Sequence, residues 1–409
     1  MPGAVWAGLF LTAVAFAFLR AAWLGDASVL SACVQALFDA ARLSVELAIG
    51  LVGLLALWLG LFKIAEAAGI VDALARLLSP AFRRFFPGIP EGHPAIGSMC
   101  LNLAANVLGM DNAATPAGLK AMRDLQTLNP SADTASNAQI LFMVLNASSV
   151  TLLPVTVFLY RAQLGASDPT SVFVPILLAT TASTLTGLLL VAWMQRLPLL
   201  TAGPLMTLSA CLASVAALGL GILSLPHELR GTASGAIGNG VLLLVICGFL
   251  VQGWRKGVAL YDTFITGAKD GFHTAIGILP YLVAMLAAVG LLRASGLLEA
   301  CISGLGIALN AVGIDTAFLP ALPVALLKPF SGSGARALMI DVMKTTGADS
   351  FPSLVAAVIQ GSTETTFYVL AVYGGAAGLT RMRHALPCAL LADVAGAVAA
   401  ILLCYAFFG

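Results

Sequence analysis

The stretch Gln360-Gly361-Ser362-Thr363-Glu364-Thr365-Thr366-Phe367-Tyr368 places one carboxylate and five hydroxyls in a chain that is otherwise apolar. Across 409 residues, 60% are hydrophobic and 10% charged, with a mean hydropathy of +0.99. An ionisable group at bilayer depth is costly and faces a cavity or a partner, so it marks a site by default. Glu364 and Tyr368 are four apart and are expected to share a helix face, with Ser362 beside Thr365 and Thr366 on another. The competing reading is a structural carboxylate paired with Lys328.

Three further groups carry comparable chemistry. Asn146, Ser148, Ser149 and Thr151 lie on one predicted helix that Pro154 must kink, because proline removes a backbone donor and frees the carbonyl of Val150. Such a helix can coordinate a small polar solute or a cation. Lys328 and Arg336 frame Ser331-Gly332-Ser333-Gly334, where successive amides can form an anion-accepting nest. Turn chemistry explains that run equally well. Asn102, Asn106 and Asp111-Asn112 offer oxygens for Na⁺, with helix capping by Asp111 as the alternative, and Thr115 follows in the same segment. The candidate binding set is therefore Asn106, Asn112, Thr115, Asn146, Ser148, Ser149, Thr151, Lys328, Ser331, Ser333, Ser362, Thr363, Glu364, Thr365 and Tyr368.

The elements that position these groups are membrane helices. The composition is far from a soluble domain's usual quarter of charged residues. Stretches of about 20 apolar residues, long enough to span, run over 4–24, 43–69, 137–160, 171–195, 200–225, 235–254, 272–292, 354–374 and 385–408. The expectation is an all-α polytopic membrane protein of about nine spans. Two more segments are apolar but broken: Ala95 to Leu119, with Asn102, Asn106, Gly109 and Pro116, and Phe318 to Met339, with Pro320, Pro323, Pro329 and the Gly-Ser run. Non-helical chain at this depth must be buried in protein or line a cavity, so both read as re-entrant hairpins.

Self-alignment pairs Ala48-Ile49-Gly50 with Ala275-Ile276-Gly277, and Ala68-Gly69 with Ser295-Gly296, at an offset of 227. Asn146 to Thr151 pairs with Gln360 to Thr365 at an offset of 214, which implies extra residues in the first half, placed in the loop Arg83 to Pro94. Span counting makes the two repeats inverted. Paired broken segments in two halves point to a central site.

Charge excludes a nucleic-acid partner, since the net charge is +1 and no basic arm or patch occurs. The seven cysteines are scattered and read as small core hydrophobes, and no metal set is expected. His93, His227, His273 and His384 are isolated near predicted helix ends and receive no chemistry. Lys63 and Glu66 read as interfacial. For Ser183, Thr184 and Thr186 the structural reading, hydroxyls that join helices, is preferred. Leu30-Ser31-Ala32-Cys33 fits a lipoprotein cleavage pattern, but no Lys or Arg precedes the first apolar run, so a retained first helix is expected.

At the level of motifs the chain resembles known proteins. Ala48-Ile49-Gly50 through Gly60, Asn102-Leu103-Ala104-Ala105-Asn106, Asn112 to Met122 and Asn146 to Pro154 resemble the spore maturation protein A family. Tyr261 to Phe264, Lys269 to Phe272, Pro280 to Leu286, Lys328 to Arg336 and Gly361 to Tyr368 resemble spore maturation protein B. The resemblance implies a natural fusion, with an A-like half over 1–197, a joining region over 198–234 and a B-like half over 235–409. Both belong to a superfamily of nucleoside-recognition or gate domains whose relatives include concentrative nucleoside transporters and the membrane domain of ferrous iron transporter B. That kinship implies hairpins and discontinuous helices around a midplane site.

The expected protein is a bacterial plasma (inner) membrane transporter or channel for a small polar or anionic solute, a nucleoside-like one being a candidate. Its partners are lipid and solute, a homo-oligomer is open, and a coupling ion would be Na⁺ or H⁺. The rival is a scaffold or assembly factor that transports nothing. An enzyme is not expected, because no second carboxylate, His or metal set accompanies Glu364 in sequence.

Overall fold

Unpaired backbone amides cannot face lipid, and long runs of Leu, Ala and Val satisfy them as helices. The computed structural model describes residues 2–148, 151–197 and 202–409, with backbone placement alone for 2–5, 24, 81, 111–113, 202–204 and 207. They form α1 (Pro2–Leu24), α2 (Ser28–Ala67), α3 (Ile70–Phe85), α4 (Pro94–Val107), α5 (Asp111–Gln126), α6 (Asn137–Ser148), α7 (Val155–Gln163), α8 (Phe173–Gln195), α9 (Ala202–Leu223), α10 (His227–Arg255), α11 (Leu260–Ala294), α12 (Leu297–Ala311), α13 (Leu322–Leu327), α14 (Gly332–Thr346), α15 (Phe351–Ser362), α16 (Thr366–Ala376) and α17 (Ala385–Phe408). A single 3-10 turn, Leu319–Ala321, leads into α13. No β-strand occurs among the described residues, only an isolated bridge between Thr134 and Arg381.

The repeat is visible element by element. A glycine in the left-handed region precedes both α3 and α12, Gly69 with φ 70° and Gly296 with φ 84°, a conformation that glycine alone adopts without strain. From there α2 to α8 correspond in order to α11 to α17. Even the flanking helices correspond, since α1 packs on α11 and α10 on α2. Helix α9 is the remaining element, lying between the halves.

The two long helices α2 and α11 run antiparallel. Gly60 meets Phe264 and Gly267, while Gly271 lies against Ala56 and Gly290 against Ala36. Small residues let the backbones approach closely, the usual basis of helix pairing in lipid. Helices α8 and α17 are also antiparallel, with Ser183 against Gly396 and Gly187 against Ala392. Equivalent helices pointing in opposite directions are the mark of inverted repeats.

Several expectations change in detail. Among the described residues, seven helical stretches are long and apolar enough to cross a membrane. The other two expected spans are 137–160, which is divided between α6, ending at Ser148, and α7, beginning at Val155, and α9, whose apolar part covers Leu208–Leu223. Helix α2 has 40 residues rather than the span over 43–69, about 60 Å at the helical rise, so it is longer than the hydrocarbon layer is thick. The first hairpin turns at Leu108–Met110, and Pro116, one of the residues expected to break this segment, sits inside α5. The extra length of the first half lies partly in the loop 127–136, which is longer than its counterpart 347–350. Cys33, Cys100, Cys388 and Cys404 are buried, but Cys211, Cys247 and Cys301 are exposed, so only four act as core residues.

Candidate functional site

The span expected to kink at Pro154 breaks instead. Helix α6 ends at Ser148 and α7 begins at Val155, with Pro154 as its N-terminal flank. The second repeat breaks at the same place, between Ser362 and Thr366, with Thr363 and Thr365 in extended conformation. Glu364 therefore lies in the break, and it does not share a helix face with Tyr368. The regrouping expected for Ser362, Thr365 and Thr366 falls with it.

Each hairpin turn is fastened to the broken helix of its own repeat. The amides of Leu152 and Leu153 donate to the Val107 carbonyl at 3.1 and 3.3 Å, and the amide of Phe367 donates to the Pro329 carbonyl at 3.0 Å. Side chains repeat the pattern. Asn106 Nδ2 donates to Asn146 Oδ1 at 2.9 Å, and at the equivalent place Lys328 Nζ donates to the Gln360 carbonyl at 2.9 Å. The breaks also touch one another, through the Glu364 amide and the Ala147 carbonyl at 2.9 Å. Backbone groups freed by interrupting four helical segments are thus re-bonded among themselves, as they must be in a membrane.

A cavity of about 100 Å³ lies where these parts converge, lined by Asn106 and Gly109 of the first hairpin, Thr151 and Leu153 to Val157 across the first break, Lys328, Gly332 and Arg336 of the second hairpin, and Gln360, Gly361, Thr363 and Glu364 of the second break. It shares Gly109, Val155, Thr156, Tyr160 and Arg336 with a vestibule of about 380 Å³ that reaches Lys63, Glu66 and Asp270. Lys63 and Glu66 form an ion pair at 2.9 Å there. The Arg336 guanidinium stands over the Tyr160 ring, 5.5 Å from its centre, a contact that holds the cation beside the cavity. The N-termini of α7 and α14 both open on this space, and helix N-termini attract anions. Two cations and two helix ends against one carboxylate leave the cavity suited to a small anion.

Two stretches covering residues 48–166 and 275–380, together more than half of the chain, match the family model Gate, described as nucleoside recognition. The chain belongs to the Gate family. It is similar to spore maturation protein B of Bacillus subtilis (strain 168), 42% identical over 166 residues, which cover 41% of this chain and 92% of that protein. It is also similar to spore maturation protein A of the same organism, 37% identical over 183 residues, covering 45% of this chain and 90% of the relative. No solved structure matches the chain. Two relatives, each matched almost whole and each by less than half of this chain, are consistent with a fusion.

The cavity between the Gate domains gathers Asn106, Thr151, Lys328, Thr363 and Glu364 from the expected set. Asn146 backs it through Asn106, while Asn102 is held by bonds to the Ala114 carbonyl and the Tyr373 hydroxyl. Thr365 stands against Gly332 at its edge. Ser331 caps α14, accepting the Gly334 amide at 3.0 Å, with Ser333 Oγ 3.3 Å away, so the run acts as a helix start and not as a free nest. Ser148 and Ser362 are buried and donate to carbonyls within their own helices. Tyr368 is 53% exposed and does not line the cavity. Thr115, half-buried on α5, does not either. Ser149 and the side chain of Asn112 lie outside the described residues.

Sequence reading missed Asp393. It is the single ionisable carboxylate of α17 and is 6% exposed. Its Oδ2 accepts the Thr366 hydroxyl at 2.7 Å, directly behind the second break. A lone Asp in an apolar run of spanning length is itself the signal. Of the α8 hydroxyls Ser183, Thr184 and Thr186, Thr186 bonds within its own helix and Thr184 reaches the Ser148 carbonyl at 3.4 Å.

Proposed function

We propose that this multi-pass membrane protein is a secondary transporter of a small anionic or polar solute, bound between the two Gate domains in the cavity at Lys328, Arg336 and Glu364. One observation carries the reading: a single cavity touches both hairpins and both helix breaks and continues into a vestibule. A scaffold gains nothing from four interrupted helical segments around a polar space, whereas a transporter needs them to bind a solute at the midplane. The cavity is smaller than the 300–1,000 Å³ of sites for drug-sized ligands, which favours an ion or a compact headgroup over a whole nucleoside in this conformation. The protein resides in the bacterial plasma membrane and acts as a carrier, without catalysing a reaction.

The test is accessibility from both sides. Thr156→Cys, in right-side-out and inside-out vesicles, should react with a membrane-impermeant maleimide from each side in different conditions. Labelling from one side alone under every condition, with no flux of any anion tested in proteoliposomes, supports the scaffold.

A further inference from the structure

Asp393 lies beyond both Gate-matched stretches, and nothing in the solute site requires it. It projects from a helix with no other charged residue toward Thr366, the first residue of α16. Its Oδ1 is buried and makes no hydrogen bond, and the Thr363 side chain stands against Gly396 of the same helix. Across Gly396, one turn further along, Ser183 Oγ is also buried and without a partner. An ionised carboxylate is unfavourable with one oxygen bare in such surroundings. A neutral acid suits the place, and its O–H supplies a donor where acceptors stand idle.

We propose that Asp393 is a proton-binding carboxyl whose charge state is set by the position of the Lys328 hairpin. This rests on the transport reading, because it makes the hairpin a moving part. Helices α6, α8, α13 and α15, packed against α17, contribute no charged side chain, α16 contributes the phenols Tyr368 and Tyr373, and the charged groups of α10 lie near its ends. Lys328 follows α13, and its hairpin is tied to Asp393 through bonded neighbours: Thr366 donates to Asp393, and the next residue, Phe367, donates its amide to the Pro329 carbonyl. Glu364 lies two residues before Thr366 in the same break. With Lys328 held at the Gln360 carbonyl, a proton from cavity water forms an O–H bond at Asp393 and the carboxyl becomes neutral. When the hairpin moves and brings the ammonium nearer, the carboxylate is favoured and the same proton returns to water. One proton is taken up and one released per cycle.

The experiment is infrared difference spectroscopy of the full chain in lipid nanodiscs, titrated between about pH 5 and 9. The carbonyl band of a neutral carboxylic acid, shifted in D₂O, should fade as pH rises, be absent in Asp393→Asn and persist in Glu364→Gln. Thr366→Val, which removes the donor to Oδ2 and keeps the carboxyl, should move the midpoint of that band, a change that a purely structural Asp393 would not give. No band lost in Asp393→Asn overturns the proposal, as does a band abolished by exchanging K⁺ for Na⁺, which would make this a cation site. For coupling, the labelling rate of Thr156→Cys divided by that of free cysteine at the same pH, which removes the thiol's own ionisation, should change about threefold or more between pH 6 and 8, roughly the size of a modest allosteric coupling, and this ratio should become pH-independent with Asp393→Asn. A ratio indifferent to pH in the parent protein overturns the coupling. One-sided labelling under all conditions overturns the transport reading and leaves the infrared result to decide protonation by itself.

Discussion

Arg161 is completely buried at the C-terminal end of α7 and spends its guanidinium on five partners: the carbonyls of Pro169, Ala348 and Asp168, the Ser171 hydroxyl and Asp349 Oδ1, all within 3.2 Å. It joins the end of the first broken helix to the loop before the second. Arg161→Leu leaves those acceptors bare, and thermal unfolding in detergent should show a loss of about 3–5 kcal/mol. Its partner Asp349 lies in a loop outside the spans. Partial burial raises the Asp349 carboxyl, but hydrogen bonds from Ser167 and the charge and hydrogen bond of Arg161 outweigh it and hold the group below its ordinary value. Stability from this group is therefore complete above the usual carboxylate range near pH 4 and is lost as pH falls through the lower folded value. Asp349→Asn should flatten the acid limb of melting temperature against pH, and an unchanged limb would contradict the assignment. Glu364 was legible in sequence because its neighbours are polar. Arg161 was not, since it sits among ordinary apolar and loop residues and gains its meaning from partners far along the chain, while Asp393 carried a signal as a lone carboxylate in an apolar run although its partner Thr366 could not be read.

At the scale of elements, the hairpin turns are where small changes should matter most. Gly109 has φ 70°, and an added Cβ would stand 2.6 Å from the Leu153 carbonyl. Gly109→Ala combines left-handed strain of about 1–2 kcal/mol with displacement of the break, so melting temperature should fall and Thr156→Cys labelling should change. Gly97→Ala in α4, where nothing lies within 4 Å, is the neutral control, and equal effects would show that the turn is not special. Lys328→Met should cost about 1–3 kcal/mol, because it leaves the Gln360 carbonyl unbonded, and Asn106→Ala should have a smaller effect of the same kind. The hairpins were readable from their prolines, glycines and asparagines. The second break was not, for Gln360 to Tyr368 contains no proline and its spacing fits a helix. Only the run of β-branched threonines after Gly361 hinted at extended chain.

The whole molecule is two similar halves held by surfaces that neither half covers alone, α2 against α11 and α8 against α17. Co-expressed as separate chains, residues 1–197 and 235–409 should co-purify, and Gly267→Leu, whose side chain would meet the Leu59 carbonyl and Gly60, should prevent it. Co-purification that survives this substitution would show that the α2–α11 seam is not what joins them. The repeat itself was legible as short identities, whereas this seam was not, because Gly267 and Gly271 read as ordinary glycines until a neighbour is seen against them. In a protein with exchangeable halves, opening to one side of the membrane and opening to the other would be mirror operations of equal energy. Here the backbone is nearly exchangeable but the chemistry is not: the position of Asn106 in one repeat is held by Lys328 in the other, and that of Val150 by Glu364. If the protein works as the transporter proposed above, the two facings must differ in energy and the resting protein must be biased toward one side, and Lys328→Asn together with Glu364→Val should bring the two populations toward parity.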